Sequence, residues 1–305
     1  MLHTAIPHGI LLNTDSPDNP LLTCRTAMAN RSGLLTTAPA CTSNPFDPPS
    51  SLKCRIAKTQ FELEGAYAIV HDAYVRKGLM PPHPSGMRVS VFNALPNAAT
   101  FVGWHSESIV ATITLVADSP LGLPMDDIYK RELDSLRNAG RNVAEIGSFA
   151  TQRPFPDRIA VFPMLRPLSP LARSAGIDDI CIAVHPRHVP FYQGLLLFEA
   201  LGGLKSCGRV RGAPAVALRL DLQSLEERAR RASRQAFFSA VFGRAEAHSQ
   251  VRSHGFPHRP LIPFEVWWDL FIVKTDVLRR ASKAAIEFLK TWYPVYDFRT
   301  LPAYT

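Results

Sequence analysis

The sequence predicts an α/β fold in which helices flank a central mixed sheet, and two adjacent patterns carry most of this prediction. Residues 180–184 (ICIAV) form a short, apolar run rich in β-branched residues, which is typical of a buried strand. Residues 188–201 then carry apolar residues at helical spacing, so a strand, a turn and a helix follow one another. Apolar runs further upstream predict the additional strands of the sheet.

Upstream of residue 180, the sequence predicts helices and four more strands. Thr59 and Glu62 form a capping box that begins a helix, and Gly78 ends it. We expect antiparallel strands at residues 87–93, 100–105 and 109–117, a loop and helix over 120–137, and the central strand at 141–151. An irregular helical stretch then reaches Ala175.

The two ends of the chain differ from this middle part. Residues 1–50 are rich in Pro, Ser, Thr and Asn and carry little charge, so we expect them to be disordered. They lack the pattern of a secretory signal, and the chain has no run of about 18 apolar residues that would span a membrane. Residues 55–222 form the predicted α/β domain, and residues 223–305 form a C-terminal helical extension with helices at 224–247 and 264–291.

Charge and cysteine content limit the partners and the compartment. The formal net charge of +8 favours an acidic partner, such as nucleic acid, an anionic lipid or an acidic carrier protein. The chain shows no convincing basic and aromatic face for nucleic acid, so we expect no such partner. Five cysteines without C-x-x-C spacing favour a reducing cytoplasm, and we interpret Cys181 as a small buried hydrophobe.

Three motifs occur in an order that resembles one enzyme family. They are YAIVHDAYVRKG (67–78), VAEIGSFAT (143–151) and HPRHVPFYQGLLLF (185–198), and the resemblance covers residues 58–222. Together they resemble the N-acyl amino acid synthases, which are similar to acyl-homoserine-lactone synthases on a GNAT-like fold. The resemblance implies transfer of a long-chain fatty acyl group from an acyl carrier protein thioester to the amine of an amino acid. It implies no cofactor besides the acyl-phosphopantetheine thioester, which is a co-substrate.

Glu145 is the candidate general base. It is a lone carboxylate among apolar neighbours on the predicted central strand, and its side chain points opposite to those of Ala144 and Ile146. Burial in a cleft raises the pKa of such a carboxylate and suits it to proton abstraction. The alternative from the residues alone is a glutamate that pairs with an arginine or caps a backbone group.

The acyl-homoserine-lactone synthases carry a Glu-x-x-Arg-Phe motif on this strand, with the glutamate proposed to deprotonate the amine. Glu145 and Phe149 match this motif, whereas Ser148 stands where the motif has arginine. The resemblance therefore implies that Glu145 is the base. The departure at Ser148 leaves acyl-homoserine-lactone synthesis as the alternative activity.

A glycine within the same strand marks the expected thioester site. Glycine inside a strand is typical of a bulge or a close backbone approach, although plain packing is equally compatible. The resemblance implies that the sheet splays here and that the acyl thioester binds along Gly147, Ser148, Phe149, Ala150 and Thr151. The backbone N–H groups of the last three would polarise the thioester carbonyl. Tyr192, early in the next helix, would donate a proton to the leaving thiolate.

The segment after the central strand, TQRPFPDR (151–158), lacks the glycines with which coenzyme A-dependent GNAT enzymes hold a pyrophosphate. We expect it to be a rigid loop that presents Arg153 and Arg158, together with Arg187, to an acidic acyl carrier protein. The alternative is that these arginines are only solvated.

Histidines provide no convincing metal site. His185 and His188 straddle a strand–helix junction without a local third ligand, so we expect them to shape the turn or the pocket. The remaining candidates, His248, His254 and His258, lie in a connector without a supporting array.

The helix predicted at 264–291 mixes large apolar side chains with Arg and Lys, which is typical of a helix that docks on a core. A cover for a long acyl chain and a peripheral membrane contact are the alternatives. A non-catalytic GNAT-like module whose basic tail binds a partner is the alternative function from another class.

Overall fold

The structure is a computed structural model that describes residues 52–242 and 262–293. Its strands are β1 (Leu52–Ile56), β2 (Ala98–His105), β3 (Ser108–Ala117), β4 (Val143–Thr151), β5 (Asp179–Val184), β6 (Glu199–Cys207) and β7 (Ala213–Asp221). Its α-helices are α1 (Gln60–Arg76), α2 (Asp126–Asn138), α3 (Asp157–Leu165), α4 (Leu168–Ser174), α5 (Val189–Leu196), α6 (Leu225–Arg231), α7 (Gln235–Phe242), α8 (Phe264–Trp268) and α9 (Lys283–Trp292). The predictions for residues 1–50 and for His248, His254 and His258 lie outside the described residues.

The strands form one seven-stranded sheet in the order β1-β2-β3-β4-β5-β7-β6. Every neighbouring pair is antiparallel except β4 and β5, which are parallel. Helices cover both faces of the sheet. The predicted mixed sheet with flanking helices is therefore confirmed, the fold is GNAT-like, and β4 is the central strand.

The parallel pair separates soon after it begins. Pairing runs only from Val143 opposite Asp179 to Glu145 opposite Cys181, although β4 continues to Thr151. The unpaired halves of the two strands border a slot, hereafter the β4–β5 slot.

A bulge in β4 lies beside this slot. β4 advances three residues, from Gly147 to Ala150, while β3 advances two. The left-handed residue of the bulge is Ser148, with φ of 54°, rather than the neighbouring Gly147. Because the bulge shifts the alternation of faces, Phe149 joins Ile146 on one face of the sheet.

Two hydrophobic clusters lie on opposite faces of the sheet. The first contains side chains of α1 and α2 together with Trp267 and Phe271 of the C-terminal extension. The second contains α3, α4, α5 and the helices α6 and α7. Ala144 and Ile146 belong to the second cluster, and Val143 belongs to the first, so the predicted alternation along β4 is confirmed.

The capping box of α1 is confirmed. Thr59 Oγ1 accepts from the Glu62 N–H at 3.3 Å, and Glu62 Oε2 accepts from the Thr59 N–H at 3.1 Å. Gly78 follows this helix with φ of 70°, a conformation that glycine adopts without strain.

The strand predicted at residues 87–93 is wrong, because a loop and a short 3₁₀ turn (Val91–Ala94) occupy this segment. Side chains satisfy its backbone locally: Ser85 Oγ accepts from the Met87 N–H at 3.2 Å, and Asn93 Oδ1 accepts from the Ser90 N–H at 2.9 Å. These local hydrogen bonds compete with a sheet ladder.

The helix predicted at 188–201 is too long. α5 ends where Leu197 adopts φ of 58°, and β6 begins two residues later. Gly202 lies inside β6, where a Cβ would stand 2.8 Å from Cδ1 of Tyr129. Glycine here therefore serves close packing within a strand, not the end of a helix. The analysis also missed the strands β1 and β7.

In the part of the extension that the structure describes, residues 223–242 and 262–293, the helices are short, so the two long helices predicted for it are wrong. Ser233, with φ of 54°, separates α6 from α7, and a separate cap at Ser282 begins α9. Docking on the domain is confirmed, because buried Trp267 donates from Nε1 to the Ala94 carbonyl at 2.8 Å. None of the helices in the described ranges has the length and apolar character needed to cross a membrane.

Candidate active site

Glu145 lies on β4 with only 2% of its surface exposed. Its Oε2 accepts a hydrogen bond from the backbone N–H of Met125 at 2.7 Å. Burial raises the pKa of Glu145 to about 8, while the Met125 hydrogen bond and the charge of Arg209 oppose this rise. The raised pKa is what a general base needs, and the hydrogen bond from Met125 is the backbone cap of the alternative interpretation, so the role of Glu145 as the base stays a prediction.

Side chains from other segments act electrostatically on this carboxylate. Tyr74 of α1 lies within electrostatic reach of it, and the guanidinium of Arg88 stacks 4.2 Å from the centre of the Tyr74 ring. Arg209 approaches from the 3₁₀ turn after β6 (Gly208–Val210). On the strand itself, a Cβ added at Gly147 would stand 3.7 Å from Glu145 Oε1, so the glycine leaves this side of the carboxylate uncovered.

A cavity of about 500 Å³ is lined by Asp126, the residue that follows Met125, whose N–H binds the Glu145 carboxylate. Apolar residues form most of its wall, and Asp126, Asp127, Arg209 and Arg280 provide its charged groups. Three of these, Asp126, Asp127 and Arg209, also influence the pKa of Glu145. The sequence analysis missed all four, because they come from separate segments without a shared motif.

The C-terminal half of β4 offers backbone donors to the β4–β5 slot. Gln152 donates its N–H to the Val110 carbonyl of the β3 side at 2.8 Å. Successive N–H groups of a strand point in opposite directions, so the N–H of Thr151 points away from β3 and towards the slot. The same alternation points the N–H of Ala150 towards its β3 partner Thr112, so the expectation that three consecutive N–H groups face the slot is wrong for Ala150. Thioester binding along 147–151 stays a prediction.

Tyr192 is fully buried in the second cluster, on the face of the sheet opposite to that of Glu145. Its ring packs edge-on against Phe191 and Phe198, with centroid distances of 5.2 and 5.5 Å. Burial raises the pKa of Tyr192 well above its usual value, and the charge of Asp157 adds to the rise. Asp157 in turn accepts from Thr151 Oγ1 at 2.5 Å, which places Tyr192 near the end of β4.

The hydroxyl group of Tyr192 is buried without a hydrogen-bond partner among the residues that the structure describes. An unsatisfied buried hydroxyl costs about 1–3 kcal/mol. Other buried polar atoms of the described residues, such as Ser169 Oγ and Trp104 Nε1, also lack a partner, so the unpaired hydroxyl alone does not assign a role to Tyr192.

Two of the three candidate carrier-binding arginines come together at the open end of the slot. Burial lowers the pKa of Lys77 to about 8, and the charges of Arg187, Arg76 and Arg153 lower it further. Arg153 and Arg187 are exposed and therefore share a cationic patch with Lys77 and Arg76 at the end of α1. Arg158, in the first turn of α3, is also exposed. The sequence analysis missed the two residues from α1.

The histidines after β5 stabilise the turn. His185 Nδ1 accepts a hydrogen bond from the Arg187 N–H at 3.2 Å, which agrees with the prediction that this histidine shapes the turn. Burial lowers the pKa of His188 to about 3, with Arg187 and His185 adding to the effect, so His188 is neutral. Over residues 52–242 and 262–293, no group of three or more His, Cys, Asp or Glu side chains is arranged to hold a metal ion.

Comparison with known proteins identifies the family. The sequence profile of the N-acyl amino acid synthase FeeM matches residues 65–221, just over half of the chain. The solved structure of FeeM, an N-acyl amino acid synthase from uncultured soil microbes, is 31% identical with a TM-score of 0.50, and the match covers 58% of this chain and 93% of FeeM.

Two acyl-homoserine-lactone synthases are more distantly similar. LasI is 14% identical with a TM-score of 0.45, covering 63% of this chain and 95% of LasI. The coenzyme A-dependent enzyme BjaI is 16% identical with a TM-score of 0.43, covering 60% of this chain and 89% of BjaI. No curated protein sequence matches. On the profile match, the chain belongs to the FeeM family of N-acyl amino acid synthases and is an acyltransferase.

Proposed function

We propose that this acyltransferase moves a long-chain fatty acyl group from an acyl carrier protein thioester to the amine of an amino acid in the cytoplasm. One observation carries the proposal: the buried carboxylate of Glu145, with its raised pKa, lies on the strand that borders the β4–β5 slot, and its hydrogen-bond partner Met125 precedes a residue of the cavity wall. A base of this pKa is half deprotonated near pH 8, where it accepts protons effectively.

In the proposed mechanism, the carboxylate form of Glu145 accepts a proton from the acceptor ammonium, directly or through a water molecule. The neutral amine nitrogen then forms a bond to the thioester carbonyl carbon, and the carbonyl electron pair moves onto oxygen. The Thr151 N–H, which points towards the slot, stabilises this oxyanion. The positively charged nitrogen of the adduct loses a second proton to solvent. As the oxyanion collapses, the C–S bond breaks and the sulfur accepts the proton of Tyr192. The proton on Glu145 restores the phenol through solvent, so the net products are an amide, a thiol and one released proton.

The unpaired hydroxyl of Tyr192 supports its role as the proton donor. A buried phenol with a raised pKa stays protonated at neutral pH, and an incoming sulfur would give it the partner that the described residues do not provide. Its position near Thr151, through Asp157, places it close to the strand segment proposed to bind the thioester.

The cationic patch supports an acidic carrier as the donor. Arg153 and Arg187 lie with Lys77 at the open end of the slot, where the pantetheine arm would enter. Arg158 is exposed on the adjacent helix turn and extends this basic surface. The loop after β4 contains no glycine to admit a pyrophosphate, which favours a carrier protein over coenzyme A.

The test is to express the chain in a heterologous bacterial host, extract the lipids and weigh new N-acyl species by mass spectrometry. We expect N-acyl amino acids that are absent when Glu145→Gln is expressed at the same level. N-Acyl homoserine lactones would overturn the proposal in favour of the alternative synthase activity. No new product from a folded protein would overturn it in favour of the non-catalytic module.

A further inference from the structure

The cavity lined by Asp126 is built from two parts of the chain. Asp126, Asp127 and Arg209 belong to the segment that the family profile matches. The opposite wall belongs to the extension, in the turn before α9 and its first residues: Val277, Arg280, Ala281, Ser282 and Ala285. This wall lies beyond residue 221, where the match to the family ends.

The charged side chains of the cavity differ in how many of their hydrogen-bonding atoms already have partners. Asp126 binds Arg137 through two hydrogen bonds of 2.8 and 2.7 Å, and Arg209 Nη2 donates to Asp127 Oδ1 at 2.8 Å. Arg280 uses Nη2 for Asp276 at 2.6 Å, and its side chain is 58% exposed. Because a guanidinium has five N–H donors, Arg280 keeps donors for a further anion.

We infer that the extension completes the acceptor site: Arg280 binds the carboxylate of the acceptor amino acid, and the wall around Ala281 limits the size of its side chain. The acceptor class is a free α-amino acid, because its carboxylate pairs with a guanidinium that keeps N–H donors on the cavity wall. The wall of the cavity includes Asp126, and the preceding residue, Met125, donates its N–H to Glu145, so the proposed base lies behind this part of the wall. The inference rests on the proposed function, since it assigns the acceptor of that reaction.

The first test measures steady-state kinetics of purified Arg280→Gln with an apolar amino acid and with the matching amine that lacks the carboxylate. A hydrogen bond to a charged group contributes about 1.5–3 kcal/mol, so KM for the amino acid should rise about 10- to 100-fold. The KM for the decarboxylated amine and kcat for both should change little. Arg279→Gln is the matched control, because Arg279 is exposed and does not line the cavity.

The second test measures side-chain preference. Ala281→Leu should lower kcat/KM for large apolar amino acids about tenfold or more relative to alanine. Ala284→Leu makes the same change at an exposed position of α9 that does not line the cavity, and its preference should equal that of the parent protein.

The inference is overturned by the following outcome: the parent protein forms N-acyl amino acids, Arg280→Gln has the same KM for the amino acid as the parent, and Ala281→Leu has the same preference among amino acid side chains. Failure of the proposed function is a different outcome, in which the parent protein acylates no amino acid at all. Circular dichroism and thermal melting of each variant establish that altered kinetics come from a folded protein.

Discussion

The backbone N–H of Met125 donates to Glu145 Oε2 at 2.7 Å, from the residue before helix α2 to the central strand of the sheet. The bond fixes the orientation of the carboxylate and satisfies a backbone group that would otherwise be buried without a partner. Burial still outweighs this bond and the charge of Arg209, because the pKa of Glu145 is raised to about 8. The protein thus contains an acidic group that changes its charge near pH 8.

The raised pKa predicts how Glu145→Gln changes stability. The folded state binds this proton more tightly than the unfolded state, so the stabilising effect is complete below pH 4.5 and is lost as pH rises through about 8. Glutamine keeps an acceptor for the Met125 N–H but does not titrate. The free energy of unfolding of the variant relative to the parent should therefore increase by on the order of 3 kcal/mol between pH 5 and 8. Urea unfolding at both pH values measures this, and a pH-independent difference would contradict the assigned pKa.

Tyr192→Phe should slow the reaction without destabilising the fold. The substitution keeps the ring between Phe191 and Phe198 and removes a buried hydroxyl that has no partner among the described residues. The melting temperature should be unchanged or higher. Thiol release in a single turnover should slow by about 10²-fold or more if the phenol is the proton donor. An unchanged single-turnover rate would show that Tyr192 only packs.

Recognition of an acidic carrier predicts strong dependence on salt. The Debye length falls from about 10 Å at 0.1 M to about 3 Å at 1 M, so KM for the acyl carrier thioester should rise with salt. Charge reversal of Arg153 and Arg158 together should raise this KM further at low salt and leave KM for the amino acid unchanged. Arg131→Glu, at an exposed position of α2, is the control. A lower KM for acyl coenzyme A than for the carrier thioester would contradict the prediction.

A pair of adjacent glycines tests the packing of strand β6. A Cβ at Gly202 would stand 2.8 Å from the Tyr129 ring, whereas a Cβ at Gly203 would meet nothing within 4 Å. Tyr129 cannot easily move, because its hydroxyl donates to the Ala215 carbonyl at 2.6 Å. Gly202→Ala should cost about 1–3 kcal/mol and Gly203→Ala much less, measured by urea unfolding. Equal effects would show that close approach of the ring does not require Gly202.

The parts of the fold with strong local signals were predictable from the sequence. The capping box at Thr59 and the apolar runs of β4 and β5 specify their structure within a few residues, and the position of Glu145 follows from strand alternation. Edge strand β6 was not predictable, because Gly202 and Gly203 interrupt its pattern and the preceding apolar residues also fit a helix. Residues 87–93 alternate like a strand, but local hydrogen bonds from side chains keep them out of the sheet.

Only part of the candidate site was predictable from the sequence. Glu145 and Tyr192 lie in motifs that can be recognised along the chain. Arg209 and Arg280 reach the cavity from segments far from Glu145 in sequence, and only the folded chain brings them together. A single sequence contains no signal for such long-range proximity.

The pH dependence of amide formation by the purified protein and by Glu145→Gln tests the central claim most directly. For the parent, kcat/KM should rise about tenfold per pH unit below about pH 8 and then bend as the carboxylate becomes fully ionised. Glu145→Gln should be slower by about 10²- to 10⁴-fold, and its residual rate should follow only the ionisation of the acceptor amine. A folded Glu145→Gln protein with a near-normal rate and the same bend near pH 8 would contradict the assignment of Glu145 as the base.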